Sequence, residues 1–440
     1  MSTSDGAPDC VVIGGGLSGL AAAHALLRAG RTVHLVEAAD ELGGRAQTSW
    51  HRGRPVDEGF QVLLRGYREV RALAGAVGMP RHDLRPISGG AVFQHGDRRH
   101  QLAGGPAGIA RFTGLSGGER LRFARFAAEV LRRPEAALAE PATEAQTAAE
   151  LLVELGFSRE AIDGVFRPLF GPILLDRTLS TDPGYFRWLV AMLARGPAMI
   201  PSDGLGMVSD WTASSARQLG ATIETGTRAT GFGLDATATR VAEVRLEGGR
   251  TLRPAYTVLA VDPPAAEALL AEHDPGTVRR LPRDPAGTVT AAFALSEPLY
   301  RGKAIVLDCD PPADERDRVD LVCQTTNITR PNVPGGPHIL LAMRVTTGGG
   351  PTDGIEDATE RVVRRWSPRY DWMRGATHIG TYAHPFAQFR LSPEVRRELP
   401  GPRTALDNVI LAGDLTRHPS AEGAVGSGHQ AARIVDALLP

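Results

Sequence analysis

Gly14, Gly16 and Gly19 stand in the spacing G-x-G-x-x-G, inside the run Gly14-Gly15-Gly16-Leu17-Ser18-Gly19. Glycines so placed let a chain turn tightly, bring its backbone against a diphosphate, and pack the next helix on a sheet. The free N–H groups at that helix start then face the phosphates. Glu37 follows, where a carboxylate can accept from both hydroxyls of a ribose and repel a 2′-phosphate. A second pair, Gly43-Gly44, precedes Arg45, whose guanidinium can meet a phosphate oxygen. Near the other end, Gly413-Asp414 offers a carboxylate to a polyol hydroxyl. Glu422-Gly423-Ala424-Val425 then opens a helix whose start can stabilise negative charge on a reduced ring.

A glycine-rich turn alone is weak evidence; the flanking elements lend it meaning. Residues 9–13 (DCVVI) form a short β-branched run that reads as a buried parallel strand. Residues 20–29 are an alanine- and leucine-rich helix stopped by Gly30, and residues 32–36 are a second strand ending at Glu37. The same logic makes 408–411 (NVIL) a strand and carries the last helix to about residue 438. A plain NAD fold would run from Glu37 straight into another helix, whereas Gly43-Gly44 allow a turn. No other G-x-G-x-x-G follows a strand; Gly104-Gly105 and Gly348-Gly349-Gly350 read as loops. A bound NAD(P) is not indicated, so electrons should leave to oxygen, a quinone or another diffusible acceptor.

The segments VVIGGGLSGL, VEAADELGGRAQT and NVILAGDLTRHPSAEGAVGSG resemble the FAD-binding signature of the flavin amine oxidase, protoporphyrinogen oxidase and phytoene desaturase superfamily. FRPLFGPILLDRTLSTDPGYF, MIPSDGLGM and DEGFQVLLRGY look nearest to bacterial phytoene desaturase-like and hydroxysqualene dehydroxylase-like oxidoreductases. The resemblance implies an α/β fold: a Rossmann-like FAD-binding domain of the glutathione reductase type, interleaved with an α+β substrate domain that carries a helical cap. It implies FAD bound non-covalently, since a C-terminal cysteine for attachment is absent. Tyr256 to Asp262 (YTVLAVD) looks like the third strand of the nucleotide domain. The residues it assigns to the cofactor are Gly14, Gly15, Gly16, Leu17, Ser18, Gly19, Glu37, Ala38, Gly44, Arg45, Gly413, Asp414, Ala424 and Val425. Gly59, Phe60 and Gln61 fall where the family passes beside the isoalloxazine, although a plain strand leading to a surface helix would also fit. Arg228 takes an adenine-contacting position that is usually valine, and a backbone contact would survive that change.

The corresponding division is residues 1–85, 201–285 and 396–440 for the FAD domain, 86–200 for the cap and 286–395 for the substrate sheet. Residues 85–200 carry few β signals and helical stretches at 117–133, 145–155, 159–170 and 183–195. Elsewhere, helices are expected at 66–77, 207–219 and 353–366, with a strand at 221–225. Turn chemistry at Gly248-Gly249 predicts a hairpin. Strands near 288–295, 304–308, 319–323, 338–345 and 377–382 predict the substrate sheet. Helix 117–133 sets Leu121, Phe123 and Phe126 among arginines, which fits either a membrane-surface helix or a cap helix with an arginine-rich outer face.

Three reactions compete. The first dehydrogenates or desaturates an apolar, isoprenoid-like molecule by hydride transfer to flavin N5, which needs geometry and an apolar tunnel more than polar groups. The second is amine oxidation to an imine with hydrogen peroxide. Most flavin amine oxidases place a lysine in a substrate-domain strand, and Thr290 falls near that place here. Lys303, the only lysine, comes about a dozen residues later. The third is a redox-neutral or structural flavoprotein. Gln61 and His384 are the polar candidates for catalysis; His429 reads as packing or solvent-facing, and no metal cluster stands out.

Composition bounds these readings. The chain has 440 residues, enough for two or three lobes, with 42% hydrophobic and 22% charged residues. A net charge of -1 argues against a nucleic-acid partner. Three cysteines with no paired spacing fit a reducing cytoplasm, and no apolar run reaches spanning length. The expected location is cytoplasmic, with membrane contact limited to the inner face and peripheral.

Overall fold

Five short strands form a parallel sheet in the order Thr222–Glu224, Val33–Val36, Cys10–Ile13, Tyr256–Leu259, Val409–Leu411. Cys10–Ile13 and Tyr256–Leu259 are buried throughout, as parallel strands covered on both faces require. The helix Leu17–Arg28 packs between the helices Gly206–Gln218 and Ala421–Leu438. One core face joins Val12, Leu20, Leu26 and Leu35 to Ala216 and Val435. A Cβ on Gly428 would lie 2.2 Å from the Ser18 carbonyl, so glycine sets how closely the first and last helices approach. The computed structural model describes residues 7–139, 145–329, 335–347, 351–366 and 375–440; the loop read at Gly348-Gly349-Gly350 lies outside them.

A second sheet has seven strands, in the order Ala376–Phe389, Pro285–Leu295, His338–Thr347, Leu321–Gln324, Ala304–Asp308, Gly90–His95, Arg98–Leu102. The helix Ile355–Trp366 covers one face, where Val289, Phe293, Leu340, Ala342 and Val362 share a cluster. All five strands expected for the substrate sheet are present, the one at 377–382 lengthened to Ala376–Phe389. Gly248 and Gly249, at φ 79° and 83°, make the expected turn between Val241–Leu246 and Thr251–Leu252.

Between residues 85 and 200, where few β signals are expected, the structure has more strand than the sequence suggests. Gly90–His95 and Arg98–Leu102 form a hairpin that extends the seven-stranded sheet, and Leu84–Pro86 joins a small sheet with Leu63–Leu64 and Ala198–Pro201. The second hairpin strand, RRHQL, is an edge strand, and its charged side chains hide the β alternation while blunting the edge. Elsewhere this stretch is chiefly helical, with its longer helices at Gly117–Arg132, Ala148–Glu154 and Pro183–Ala194. The helix expected at 159–170 is instead Arg159–Ala161, one wide turn over Ile162–Phe166, and Arg167–Leu174. Pro168 and Pro172 each lack a backbone N–H, so the helical ladder loses a bond at each, and Pro168 stands in the first turn of Arg167–Leu174. Among the described residues no helix is long and apolar enough to cross a membrane, and no His, Cys, Asp or Glu cluster could hold a metal.

Candidate active site

The first glycine loop leaves Cys10–Ile13 and enters the helix Leu17–Arg28 directly. Gly14 has φ +106°, and a Cβ there would sit 2.3 Å from the Ala260 carbonyl oxygen. A Cβ on Gly19 would sit 1.9 Å from the Gly14 carbonyl oxygen. These two glycines are therefore required by the protein's own packing. Gly16 differs: nothing lies within 4 Å of its Cβ position. Among the described residues, no side chain caps the helix at Gly16 and the buried Ser18 hydroxyl has no hydrogen-bond partner. An open cradle, free helix N–H groups and an orphaned hydroxyl fit a diphosphate.

The Gly43-Gly44-Arg45 turn lies against this loop. Gly43 donates to the Gly15 carbonyl at 2.9 Å, and a Cβ on Gly44 would be 3.3 Å from the Gly16 Cα. Glu37 accepts from Gly15 N–H at 2.6 Å and from Ala39 N–H at 2.8 Å, which orients its carboxylate at the end of the second strand. Thr227 N–H donates to the Glu37 carbonyl at 2.8 Å, so Arg228 follows directly on this edge, its side chain exposed.

Arg45 joins distant parts of the chain. Its guanidinium donates to Asp414 Oδ1 and to the Ala387 carbonyl, each at 2.9 Å. The Asp414 carboxylate pushes the guanidinium still further up from its ordinary pKa. Gln61 Nε2 donates to the Arg45 carbonyl at 2.8 Å. His384 Nε2 lies 3.1 Å from the Glu58 carbonyl oxygen, and its ring is in van der Waals reach of a Cβ placed on Gly59. Gly59, Gln61, His384, Arg45 and Asp414 thus come together, although they lie far apart in sequence.

The last helix begins beside this group. Gly413, at φ +124°, donates to Ser427 Oγ at 2.9 Å, and Ser420 caps the helix through Gly423 N–H at 3.0 Å. Val425 is fully buried and Ala424 half-buried. Glu422 has a role that sequence reading missed. Its carboxylate accepts from the backbone N–H groups of Arg68, Glu69 and Val70 at 2.7, 2.9 and 3.1 Å, capping the helix Arg68–Ala76 from across the molecule. Burial raises its pKa against those three bonds. His418 was missed too. Its buried ring packs 4.5 Å from Trp188 of the helix Pro183–Ala194, and burial pushes its pKa down to about 3. Neither role has a local signal, because each partner is remote in sequence. His429 pairs with Glu69 at 2.7 Å.

Cross-strand partners share a face of a sheet. Thr288 pairs with His384, and Thr290 with Met343 and Tyr382. That face also carries Ala292, Ala294, Ile339 and Leu341, packed on Val56 with Phe60 and Tyr382 beside them. The charged Arg344 and Asp308 lie on the opposite face, towards the helix Ile355–Trp366. Thr290 is fully buried with an unpartnered hydroxyl, while Lys303 is exposed just before Ala304–Asp308.

Known proteins resemble this chain in sequence and in fold. The family model described as flavin containing amine oxidoreductase matches residues 17–436. Polyamine oxidase 5 of Oryza sativa subsp. japonica is 52% identical over 56 residues, 13% of this chain and 11% of that one. Hydroxysqualene dehydroxylase of Rhodopseudomonas palustris is 44% identical over 69 residues, 15% of this chain and 16% of that one. In both cases the match spans under a fifth of the relative's length. An oxidoreductase from Methanosarcina mazei has the same fold with a TM-score of 0.74, at 16% identity over 97% of this chain and 99% of its own. The chain belongs to the flavin-containing amine oxidoreductase family, whose cofactor is FAD.

Proposed function

We propose that the protein dehydrogenates an uncharged, apolar, isoprenoid-like small molecule and passes the electrons to oxygen or a quinone. FAD, held without a covalent bond, supplies the two-electron acceptor. The observation that carries the reading is the sheet face beside Gly59 and Phe60: Ala292, Ala294, Ile339 and Leu341 make it apolar, and the buried Thr290 falls near the place where the family resemblance would put a lysine. An ammonium pressed on such a face would lose its water, and even a neutral polar group moved out of water without a new partner costs about 2–7 kcal/mol.

The residues divide the work. The loop Gly14–Gly19, with Gly44, would take the diphosphate, and Glu37 the adenosine ribose, with Ala38 and the Arg228 backbone beside the base. Asp414, steadied by Arg45, would hold the ribityl chain. Gly59, Phe60 and Gln61 would flank the ring, and the helix start at Ala424 and Val425 would stabilise the charge that reduction places there. The FAD lobe so defined draws on residues 1–85, 201–285 and 396–440, with a substrate sheet at 286–395 and most of 86–200 as cap.

Amine oxidation is the second reading. It is favoured by the identity with a polyamine oxidase and by two aromatic side chains, Phe60 and Tyr382, on one apolar cluster. Anaerobic mixing of the FAD-loaded protein with farnesol, squalene, putrescine or spermidine separates the two. Farnesol or squalene should bleach the band near about 450 nm. Bleaching by the amines alone would transfer the assignment to amine oxidation, and bleaching by none would remove both.

A further inference from the structure

We propose that Arg54, with His51 and His338 beside it, forms a binding site for an oxyanion, a carboxylate or phosphate group, at the turn end of the hairpin Thr48–His51 and Arg54–Asp57. The site stands apart from the reaction assigned above, because it is read by binding and not by turnover. Arg54 is 6% exposed, yet among the described residues no carboxylate pairs with it. Its Nη2 donates to the Gly336 carbonyl at 3.2 Å, and its buried Nε has no partner. Burial lowers its pKa, and no neighbouring charge offsets that. A guanidinium stripped of water and left without an anion is costly to keep.

Two histidines accompany it. Arg52 and Gly53, at φ 48° and 76°, make a two-residue turn, so His51 and Arg54 are cross-strand partners on one face of the hairpin. The His51 Nε2 is also buried without a partner. His338 follows Gly336 by two residues; burial, and then the Arg54 charge, lower its pKa. His51, Gly336 and His338 are half-buried and Gly335 is exposed, so the rim opens to solvent. The one carboxylate of the hairpin, Asp57, is engaged with the Thr48 hydroxyl at 2.5 Å and Leu205 N–H at 2.8 Å.

These side chains select the ligand by charge and shape. A guanidinium and two imidazoles can all donate, which disfavours a cation. A guanidinium with donors to spare matches the paired oxygens of a carboxylate or a phosphate. Alternation along the strand puts Val56 on the same face as Arg54, and Val56 packs on Ala292, Ala294, Ile339 and Leu341. The oxyanion therefore has two sources: a free ion, or the polar end of an apolar chain laid along those residues.

The test uses the FAD-loaded full chain, so that the diphosphate cradle is already filled, at constant ionic strength. Calorimetric titration with inorganic phosphate should show a site that weakens at least about tenfold in Arg54→Met. Binding should persist in Arg52→Gln, which removes an exposed charge next to the site. In the wild-type protein with 15N-labelled histidine, phosphate should shift the side-chain resonances of His51 and His338, assigned through His51→Gln and His338→Gln. The resonance of His429, paired with Glu69, should stay in place. This measurement decides the matter even where Arg54→Met fails to fold. Farnesyl phosphate separates the sources: affinity at least about tenfold above that of inorganic phosphate puts the oxyanion on an apolar chain, and equal or weaker affinity makes it a free ion. No binding of either compound to the wild type, undiminished binding in Arg54→Met, or binding that moves neither His51 nor His338 would each overturn the proposal.

Discussion

Two neighbouring glycines do different jobs, and their substitution separates folding from cofactor binding. Gly16 has an ordinary φ of -75° and open space at its Cβ, so Gly16→Ala should leave apoprotein stability within about 0.5 kcal/mol of wild type. The methyl would intrude where a diphosphate approaches, and FAD affinity should fall about tenfold or more, roughly 1.4 kcal/mol. Gly19→Ala puts a methyl 1.9 Å from the Gly14 carbonyl oxygen, and the apoprotein itself should lose about 1–3 kcal/mol. Urea denaturation of apoprotein and fluorimetric FAD titration read the two effects; a Gly16→Ala variant that binds FAD normally would refute the cradle. Asp57 makes a second residue-scale prediction. Burial pushes its pKa up to about 6 against the bonds from Thr48 and Leu205. The unfolded carboxyl ionises near about 3.9. Between these values the folded state holds a proton that the unfolded state has released, so stability falls as pH rises from about 4 to about 6, by at most about 3 kcal/mol. Asp57→Asn should be free of that fall in denaturation series across this range; a parallel pH dependence would show the carboxyl is not the cause.

At the scale of elements, the helix Arg68–Ala76 owes its start to a residue more than 340 positions away. Glu422 satisfies three of its N–H groups, and Glu422→Ala would leave them unpaired in a buried setting, at a cost of about 1–3 kcal/mol. Hydrogen exchange should quicken at residues 68–70 first, and Glu422→Gln should recover part of the protection. Uniform exchange across the molecule would point to general loosening instead. This helix also shows where the sequence is legible and where it is silent. Its position follows from the apolar spacing of Val70, Leu73 and Ala74, whereas its cap does not, since Tyr67 precedes it and no local Ser, Thr or Asp stands in for Glu422. The parallel strands around the glycine loop were legible because burial on both faces leaves unbroken β-branched runs. The hairpin strand Arg98–Leu102 was not, because an edge is polar for reasons of solubility, not of local propensity. Among the cofactor candidates, Gly16 and Glu37 could be read from spacing, while the meeting of Arg45 with Asp414 and of His384 with Gly59 depends on how two sheets face each other.

At the scale of the whole molecule, one ion pair joins both ends of the chain to the second sheet. Arg45 comes from the first tenth or so of the chain, Asp414 from its last strand-to-helix loop, and the Ala387 carbonyl from the edge of the seven-stranded sheet. Asp414 is 6% exposed and Arg45 38%, so water screens one side of the pair. Removing the cation alone leaves a buried carboxylate without its partner, and the usual penalty of about 3–5 kcal/mol for a fully buried pair should shrink to about 1–3 here. Arg45→Met should therefore lose stability, Asp414→Asn should lose less, and the double variant should recover part of the Arg45→Met loss, because no charge is then stranded. FAD binding adds a second readout. A ligand at 100 times its Kd stabilises the folded state by about 2.7 kcal/mol. If the pair aligns both chain ends with the substrate sheet around the cofactor, the FAD-induced rise in Tm should shrink in both single variants and stay small in the double variant, even where apoprotein stability is restored. Strict additivity in the apoprotein would show that the two side chains are not coupled. An undiminished rise in Tm in all three variants would separate the pair from the cofactor and leave it a structural clasp between the lobes.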